Sequence, residues 1–437
     1  MSGRLLVQGG EVVDQTGRRR ADVAIEDGRV VQVAPGIDAP PDAVVLDASG
    51  CVVCPGLVDL QVHLREPGAG HWDSIASGAQ AAAQGGVTAM VAMPNTVPCI
   101  DTPELVRWVR AEAERHGSCD VMAAAAISVG RRGDTPTDVV ALWEAGARLF
   151  TDDGTAVMDS QLLRVVMQAA AELPGAYVGQ HAEDEALVAG GHLHEGAVSA
   201  ALGLRGRPAE AEEIVVARDL TLARLTGCRY HVLHASCATT LALVDGARRQ
   251  GASVTVEVTP QHLTFTDDAL AGGDTLFKMN PPLRAATDRD ALRSALVGGR
   301  IDAVATDHAP HPDDRKARPL AEAPPGMTGL ETAFAAVHTE LVLSGRWSIE
   351  AAIAAMSWIP ARIAGLDHWG HGSPVAPGSP ANLAVIDPAE RWIVDPSRLA
   401  SRSANNPFRG RELVGRVRHT ILRGEPTLRG SELRTGV

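Results

Sequence analysis

Residues 58–68 carry the side chains with the clearest chemical potential in this chain. They follow an apolar run that predicts a β-strand, and side chains along a strand point to alternate faces. Four polar residues are therefore expected on one face: Asp59, Gln61, His63 and Arg65. Burying so many polar groups costs free energy unless they bind something. We therefore expect this stretch to form one wall of a metal or ligand site.

Polar residues also gather after other apolar runs, mainly as histidine and aspartate. These clusters are residues 93–96, 150–154, 180–184, 231–236 and 305–311. A single histidine at a strand end is usually structural, and an aspartate before glycine is usually a turn residue. Burying this many titratable groups together needs a metal to offset the cost. Imidazole and carboxylate suit Zn²⁺ or a similar divalent ion, so the sequence predicts a metal site.

The middle of the chain, residues 55–370, alternates apolar strand-like runs with helical stretches. The predicted strands end near Gln61, Asn95, Ile127, Asp153, Ala182, Ser236, Pro260 and His308. The predicted helices include residues 73–84, 102–115, 160–173, 209–225, 239–249, 288–296 and 330–343. Eight strand-then-helix units predict a (β/α)8 barrel of the TIM type, an α/β fold. Chemistry in such a barrel collects at the carboxyl ends of the strands, where the polar clusters fall.

The two ends of the chain have a different pattern. The N-terminal part holds short strand-like runs separated by turn signals, and similar runs resume from residue 381 onward. Between them and the middle lies a stretch rich in Gly and Pro, residues 370–380, which is typical of a domain boundary. We expect residues 1–54 and 371–437 to build one composite β-sandwich domain and residues 55–370 to form the catalytic barrel.

Composition excludes several classes of protein. The 437 residues carry a formal net charge of −13 and contain no run of Lys and Arg, which argues against a nucleic-acid partner. No stretch reaches the roughly 18 apolar residues of a membrane span, and the N-terminus lacks a signal-peptide pattern. Six cysteines in a chain of this length predict no disulfide framework. Cys51 and Cys54 are interpreted as buried strand residues, and a cytoplasmic protein is expected.

Five motifs together resemble the dihydroorotases of the amidohydrolase superfamily. They are residues 61–68 (QVHLREPG), 93–96 (MPNT), 150–154 (FTDDG), 277–284 (FKMNPPLR) and 305–311 (ATDHAPH). The similarity runs from Leu5 to about Ile421. It implies the reversible conversion of N-carbamoyl-L-aspartate to L-dihydroorotate in pyrimidine biosynthesis, on a barrel that holds two metal ions. It also implies one or two Zn²⁺ per subunit, a small-molecule substrate and a homodimer.

The resemblance implies a metal-binding role for five residues. His63 would bind the first metal, and Asp153 would bridge both metals. His181 and His234 would bind the second metal. Asp307 would bind the first metal and serve as the general base and acid.

The resemblance also implies how the substrate is held. Arg65, Asn95 and His311 would bind its carboxylate, and Asn280 would contact the pyrimidine ring. Residues 312–329 resemble the mobile loop over the substrate, with Pro325 and Gly326 near the ring. For Arg65, a salt bridge to the neighbouring Glu66 is the alternative. His231 and His308 are expected to orient the metal ligands or to pack. His262 is expected to be structural, and Asp152 is expected to support its loop rather than to bind metal.

The lysine content discriminates among relatives. The chain has only two lysines, Lys278 and Lys316. Hydantoinases and allantoinases resemble this chain but bridge their metals with a carboxylated lysine. The fourth-strand segment, residues 147–153, has no lysine, so an aspartate bridge is the consistent interpretation. The lysine content and Arg65 both disfavour a hydantoinase-like cyclic amidase.

One position departs from the pattern of the family, because Gln61 stands where the family has histidine. An amide oxygen is a poorer ligand for Zn²⁺ than an imidazole nitrogen. Three arrangements stay open: Gln61 binds weakly through its oxygen, a water takes its place, or the first site is partly empty. We expect an active enzyme with a weakened first metal site. The alternative is a catalytically silent subunit that supports a partner such as aspartate carbamoyltransferase.

Overall fold

Eight parallel strands form a barrel in the computed structural model, which describes residues 3–433. In chain order they are Leu57–Val62, Val87–Ala92, Asp120–Ala123, Leu149–Phe150, Tyr177–Gln180, Tyr230–Val232, Val254–Val258 and Ala303–Val304. The first three and the last five form two hydrogen-bonded groups. Parallel bridges between Ala125 and Phe150 and between Val62 and His308 join these groups into a closed ring. The predicted fold class is therefore confirmed.

The observed barrel strands end close to the predicted positions, most of them a few residues earlier. The last strand, for example, ends at Val304 rather than near His308. Most of the polar motif residues lie in the loops just beyond each strand, whereas Asp59 and Gln61 lie within the strand Leu57–Val62. Asp307 and the loop residue His234 have positive φ angles of 48° and 32°, a strained conformation that is concentrated at functional sites.

Longer helices follow the barrel strands and pack against them, and shorter helical turns lie in the connecting loops. They are Ile75–Gln84, Pro103–His116, Val139–Glu144, Ser160–Ala171, Glu185–Val188, Ala197–Leu202, Glu210–Thr226, Ala238–Arg249, Pro260–Thr264, Ala286–Val297, Asp313–Lys316, Ala333–Val337, Ile349–Met356 and Trp358–Ala364. Side-chain caps set the starts of two helices: Thr102 accepts from Leu105 N, and Ser74 accepts from Ser77 N.

Among residues 3–433, no helix has the length and apolar character that crossing a membrane requires.

The last predicted helix, residues 330–343, differs from the observed structure. Its first turn is absent, and the helix is short, Ala333–Val337, continuing as a π-helical turn over His338–Val342. The N–H groups of Gly329 and Leu330 donate to His308 Nδ1 instead. These bonds tie residues 329–330 to the loop that follows the last barrel strand.

Two further sheets lie outside the barrel, one built from N-terminal strands and one built from strands of both chain ends. One contains Leu5–Gln8, Asp22–Glu26, Arg29–Ala34 and Val44–Asp47. The other contains Glu11–Asp14, Gly17–Arg20, Val52–Pro55, Leu383–Ile393, Glu412–Leu422, Glu425–Arg429 and Glu432–Leu433. A short pair, Leu193–His194 with Gly206–Arg207, lies outside both sheets. The domain boundaries at 54/55 and 370/371 stay predictions, and residues 1–2 and 434–437 of the expected sandwich lie outside the described residues.

One apolar cluster lies between the two sheets, and a larger one joins the barrel to the seven-stranded sheet through residues such as Val52 and Val417. Ile25, Val53 and Val385 belong to a fully buried cluster between the two sheets. The strands of the barrel pack against its helices through a larger cluster that includes Phe150 and Val256. All six cysteines are free, as expected.

Ile25 offers a direct test of the core between the two sheets. Ile25→Ala removes a fully buried side chain, so we expect it to lower the free energy of unfolding by about 2–5 kcal/mol through lost burial and a residual cavity. The measurement is the midpoint of thermal or urea unfolding. Val31→Ala is the matched control, because Val31 lies on the neighbouring strand and is 44% exposed. Equal losses in both variants would contradict this core.

Candidate metal-dependent active site

Five ionisable side chains from five barrel strands meet at the carboxyl end of the barrel. All are buried: His63, Asp153, His181, His234 and Asp307. Each follows directly after a short parallel strand, so the closed ring of strands brings together residues that are up to 244 positions apart, as His63 and Asp307 are. The sequence predicted that polar residues from the strand ends would meet at one rim of the barrel, and the family resemblance implied the metal-binding role of these five.

The first half of the cluster is built around His63. Its Nε2 lies 2.9 Å from Asp307 Oδ1 and 3.3 Å from Asp153 Oδ2. Its Nδ1 lies 2.9 Å from Asn95 Oδ1. An amide oxygen can only accept, so His63 Nδ1 is the donor and Nε2 is the ring nitrogen that faces the two carboxylates. One imidazole nitrogen and two carboxylates are donor types that suit a divalent cation.

The second half contains Asp153, His181 and His234, whose ligand atoms all lie within 4.8 Å of one another. His181 Nε2 lies 2.9 Å from Glu183 Oε2, so that nitrogen is the donor. His181 Nδ1 lies 3.1 Å from His234 Nε2. His234 Nε2 is also 3.5 Å from Asp153 Oδ1. These three residues have the donor types and the spacing that a divalent cation requires.

Asp153 connects the two halves. Its Oδ2 faces His63 and its Oδ1 faces His234. Burial alone would raise the pKa of Asp153, but the hydrogen bond with His234 and the nearby imidazoles hold it well below its ordinary value. The buried Oδ2 has no hydrogen-bond partner. A buried, ionised oxygen without a partner fits a metal ligand, because a bound cation supplies the missing interaction.

Gln61 lies behind Asp153 and is fully buried. Its Nε2 donates to Asp153 Oδ1 at 3.1 Å. Its Oε1 is buried without a hydrogen-bond partner. The amide thus touches the carboxylate that joins both halves. Asp59, expected on the same face, instead accepts hydrogen bonds from Gln61 N and Thr306 N, and the strand register shifts between Asp59 and Val62.

A cavity of about 220 Å³ opens above these residues. Every predicted metal and substrate residue except Gln61 lines it: His63, Arg65, Asn95, Asp153, His181, His234, Asn280, Asp307, His311, Pro325 and Gly326. A larger cavity of about 470 Å³ lies elsewhere, beside Phe334 and Trp392, and none of the predicted site residues lines it.

Arg65 and His311 form the polar wall of the active-site cavity. Arg65 Nε donates to Pro310 O at 3.2 Å, and Arg65 Nη2 lies 3.5 Å from His311 Nε2. Burial lowers the pKa of Arg65 to about 10, so the guanidinium stays charged. Burial and then the charge of Arg65 lower the pKa of His311 to about 2, so its ring is neutral. Glu66 accepts from Ile75 N, and Arg65 contacts the loop 310–311 instead.

The neighbouring polar residues make structural contacts. His231 lies 3.0 Å from Glu257, and His262 lies 2.9 Å from Thr259 Oγ1. Asp152 accepts from the N–H groups of Ile127 and Ser128. His308 accepts from the loop 329–330 and lies 3.6 Å from Asp73.

Several contacting residues were missed from the sequence. Glu183 holds His181 and accepts from Arg207 Nη1 at 2.7 Å. Lys316 and Asn405 bond to the loop that carries Pro325 and Gly326. Glu183 could have been found, because it stands two residues after His181 in the same motif. Arg207 and Asn405 carry no such signal, since each lies far along the chain from its partners.

Comparisons with known proteins decide the family. The dihydroorotase of Mycobacterium tuberculosis is 44% identical over 418 residues, which cover 95% of this chain and 96% of that protein. The dihydroorotase of Pelotomaculum thermopropionicum is 43% identical over 433 residues, 99% and 100% of the two chains. The chain belongs to the dihydroorotase family. A family model described as Dihydro-orotase-like also matches residues 50–239.

A solved structure shares the fold of the whole chain. The L-hydantoinase (dihydropyrimidinase) of Arthrobacter aurescens superposes with a TM-score of 0.88 at 26% identity, covering 100% of this chain and 98% of that one. Membership of the dihydroorotase family and the expected enzyme class, a metal-dependent cyclic amide hydrolase, are thus confirmed.

Glu183→Gln tests whether Glu183 orients His181. The substitution keeps the shape but replaces an ionised acceptor by a neutral amide, so we expect metal affinity to fall by about 10- to 100-fold. Competition with a chromogenic chelator measures it. Glu210→Gln, at an exposed helix position, is the control and should match the parent protein. An unchanged metal affinity in Glu183→Gln would show that Glu183 does not orient His181.

Proposed function

We propose that the chain catalyses the dihydroorotase reaction, the reversible cyclisation of N-carbamoyl-L-aspartate to L-dihydroorotate in pyrimidine biosynthesis. The observation that carries this proposal is the single cavity lined by the family's metal-binding and substrate-binding residue types together. The family relationship covers almost the whole chain, so no part of the barrel is missing from the match.

The proposed metal ligands divide into two sets. His63, Asp153 and Asp307 form the first set, and Asp153, His181 and His234 form the second. Zn²⁺ is the proposed ion, because imidazole with carboxylate is a preferred zinc environment. When bound, cations at such a site supply polarisation of the amide carbonyl and activation of water near neutral pH.

The proposed catalytic group is Asp307. It is buried at the cavity wall, where a carboxylate can take a proton from the attacking water and deliver it to the leaving ring nitrogen. In the cyclisation direction the same group takes the proton from the attacking nitrogen. The contact with His63 Nε2 at 2.9 Å fixes one oxygen of Asp307.

The proposed substrate wall orients the ring before reaction. Arg65 carries the charge that pairs with the substrate carboxylate, and neutral His311 beside it adds a hydrogen bond. Asn95 uses its oxygen on His63, which leaves its amide N–H groups for the substrate. Asn280 lines the same cavity together with Pro325 and Gly326. Fixing the ring by its carboxylate sets the distance of attack.

Asp153 and the positions of the lysines favour this reaction over that of a hydantoinase-like amidase. Lys278 Nζ donates to Leu320 O at 2.7 Å, and Lys316 Nζ donates to carbonyl groups of the loop 324–326. Neither lysine is therefore placed to bridge metals from the fourth strand, where Asp153 stands.

A ring-opening assay tests the activity. L-Dihydroorotate hydrolysis, followed by ultraviolet absorbance with added Zn²⁺, should proceed with the parent protein and fall by about 100- to 10,000-fold in Asp307→Asn, because the proton-transfer group is lost. Asp290→Asn, an exposed change on the helix Ala286–Val297, should have no effect. No turnover by the parent protein under any metal supply would contradict the proposal.

The outcome of no turnover would favour the second candidate, a silent subunit that supports aspartate carbamoyltransferase. Gln61, in place of a metal-binding histidine, is its only support. We keep the active enzyme as the proposal, together with a homodimer and a cytoplasmic location.

Metal content tests the role of Gln61. We propose that the first site is weakened, because the amide of Gln61 is engaged with Asp153 and is a poor zinc ligand. Protein purified without chelator should hold about one tightly bound equivalent per chain, and Gln61→His should hold about two. Elemental analysis after gel filtration gives the count. Two tightly bound equivalents in both proteins would rule out a weakened site.

A further inference from the structure

The loop of residues 309–328 brings three cavity-lining residues to the barrel mouth: His311, Pro325 and Gly326. The two ends of the loop approach each other closely. A Cβ atom added to Gly326 would lie 2.9 Å from Ala309 O and 2.8 Å from His311 Cδ2, and the φ angle of Gly326 is +140°. The backbone of the loop must therefore be held closely for His311 and Gly326 to face the same substrate.

Lys316 lies inside this loop and is almost fully buried, with 4% of its surface exposed. Its Nζ donates to Pro324 O at 3.1 Å and to Gly326 O at 3.1 Å, and it lies 3.4 Å from Lys278 O. An ammonium group has three N–H donors and no acceptor, so three carbonyl oxygens match it fully. Burial and then the charge of Lys278 lower the pKa of Lys316 to about 7.

Asn405 reaches the same loop from the C-terminal part of the chain and is fully buried. Its Nδ2 donates to Ala309 O at 3.0 Å and to Gly326 O at 3.0 Å. Its Oδ1 accepts from His311 N at 3.2 Å. Its backbone oxygen accepts from Thr328 N at 3.1 Å. One residue thus binds both ends of the loop.

The contacts of Lys316 and Asn405 meet at one atom, Gly326 O. This carbonyl accepts from Lys316 Nζ and from Asn405 Nδ2, which occupies both of its lone pairs. Its residue lines the active-site cavity. Two side chains from distant parts of the chain therefore fix the backbone beside the substrate.

The composition of the chain agrees with a specific need for lysine here. Of 40 basic residues only two are lysines, and the other, Lys278, also binds the loop through Leu320 O. A guanidinium is planar and directs its donors in a fixed fork, whereas an ammonium directs three donors from one point. Three carbonyl oxygens around a single nitrogen atom therefore suit an ammonium group rather than a guanidinium group.

We propose that Lys316 and Asn405 are positioning residues that clamp the loop 309–328 in the arrangement in which His311 and Gly326 contact substrate. This inference rests on the proposed function for its kinetic consequence. The clamp itself can be tested by hydrogen exchange in the loop 309–328, a measurement that does not require turnover.

Two variants test the clamp. Lys316→Met keeps the apolar stem and removes the donors, and Asn405→Asp keeps the size and the acceptor but removes the Nδ2 donor. We expect faster hydrogen exchange in the loop 309–328 with unchanged exchange in the barrel strands. We also expect KM for L-dihydroorotate to rise by at least about tenfold, the size expected for losing hydrogen bonds from a charged donor. Bound metal and kcat should change less than KM.

Matched variants separate positioning from general damage. Arg318→Met, an exposed change in the same loop, should leave both exchange and KM at the parent values. Lys316→Arg restores the charge without the three-donor geometry, so its KM should fall between those of the parent and Lys316→Met.

Two results would overturn the inference. Unchanged loop exchange in both variants would show that there is no clamp, and faster exchange with an unchanged KM would show that the clamp does not position substrate contacts. If the parent protein has no turnover, the proposed function fails, while hydrogen exchange still decides whether the clamp exists.

Discussion

The ionised carboxylate of Asp153, buried among imidazoles, is the feature on which the rest of the site depends. Desolvation opposes its charge, and the surrounding histidines reverse that effect. Each oxygen faces a different set of nitrogen atoms, so one residue connects the two halves of the site. The contacts of His63 with Asn95 and of His181 with Glu183 fix which nitrogen of each ring faces the centre. A site of this kind is a preorganised set of lone pairs that becomes favourable when cations are bound.

The barrel supplies the rigidity that this arrangement requires. Its strands are short and parallel, and their loops begin at one rim, so side chains far apart in sequence acquire fixed separations. Gln61 also contacts the carboxylate that the two halves of the site share. Its amide is bonded to Asp153 rather than free in the cavity, so a change at this position alters the hydrogen bonding of the carboxylate that both halves share.

Residues 401–405, which lie between two strands of the sandwich, also contact the active-site side of the barrel. Ser401 donates to Asp73, which lies near His308, and Asn405 binds the two ends of the loop at the barrel mouth. The polar contacts of residues 401–405 therefore join the sandwich side of the chain to the loops around the cavity. Because these groups are buried and hydrogen-bonded, displacing the segment would leave several backbone carbonyls unsatisfied.

The sequence by itself determined the alternation of strands and helices, the positions of the strand ends and the residue types of the site. These features depend on local periodicity and on chemistry that is visible in short motifs: His63, Asp153 and Asp307 each stand directly after an apolar run, and the absence of lysine near Asp153 is plain from the sequence. Only the tertiary structure decided the partners of Gln61, Glu183, Lys316 and Asn405. Periodicity fixes which face a side chain occupies but not which distant group it meets, because that depends on how the strand ends and loops converge. Asn405 and Ala309 are 96 positions apart and share a hydrogen bond, a pairing that no local pattern encodes.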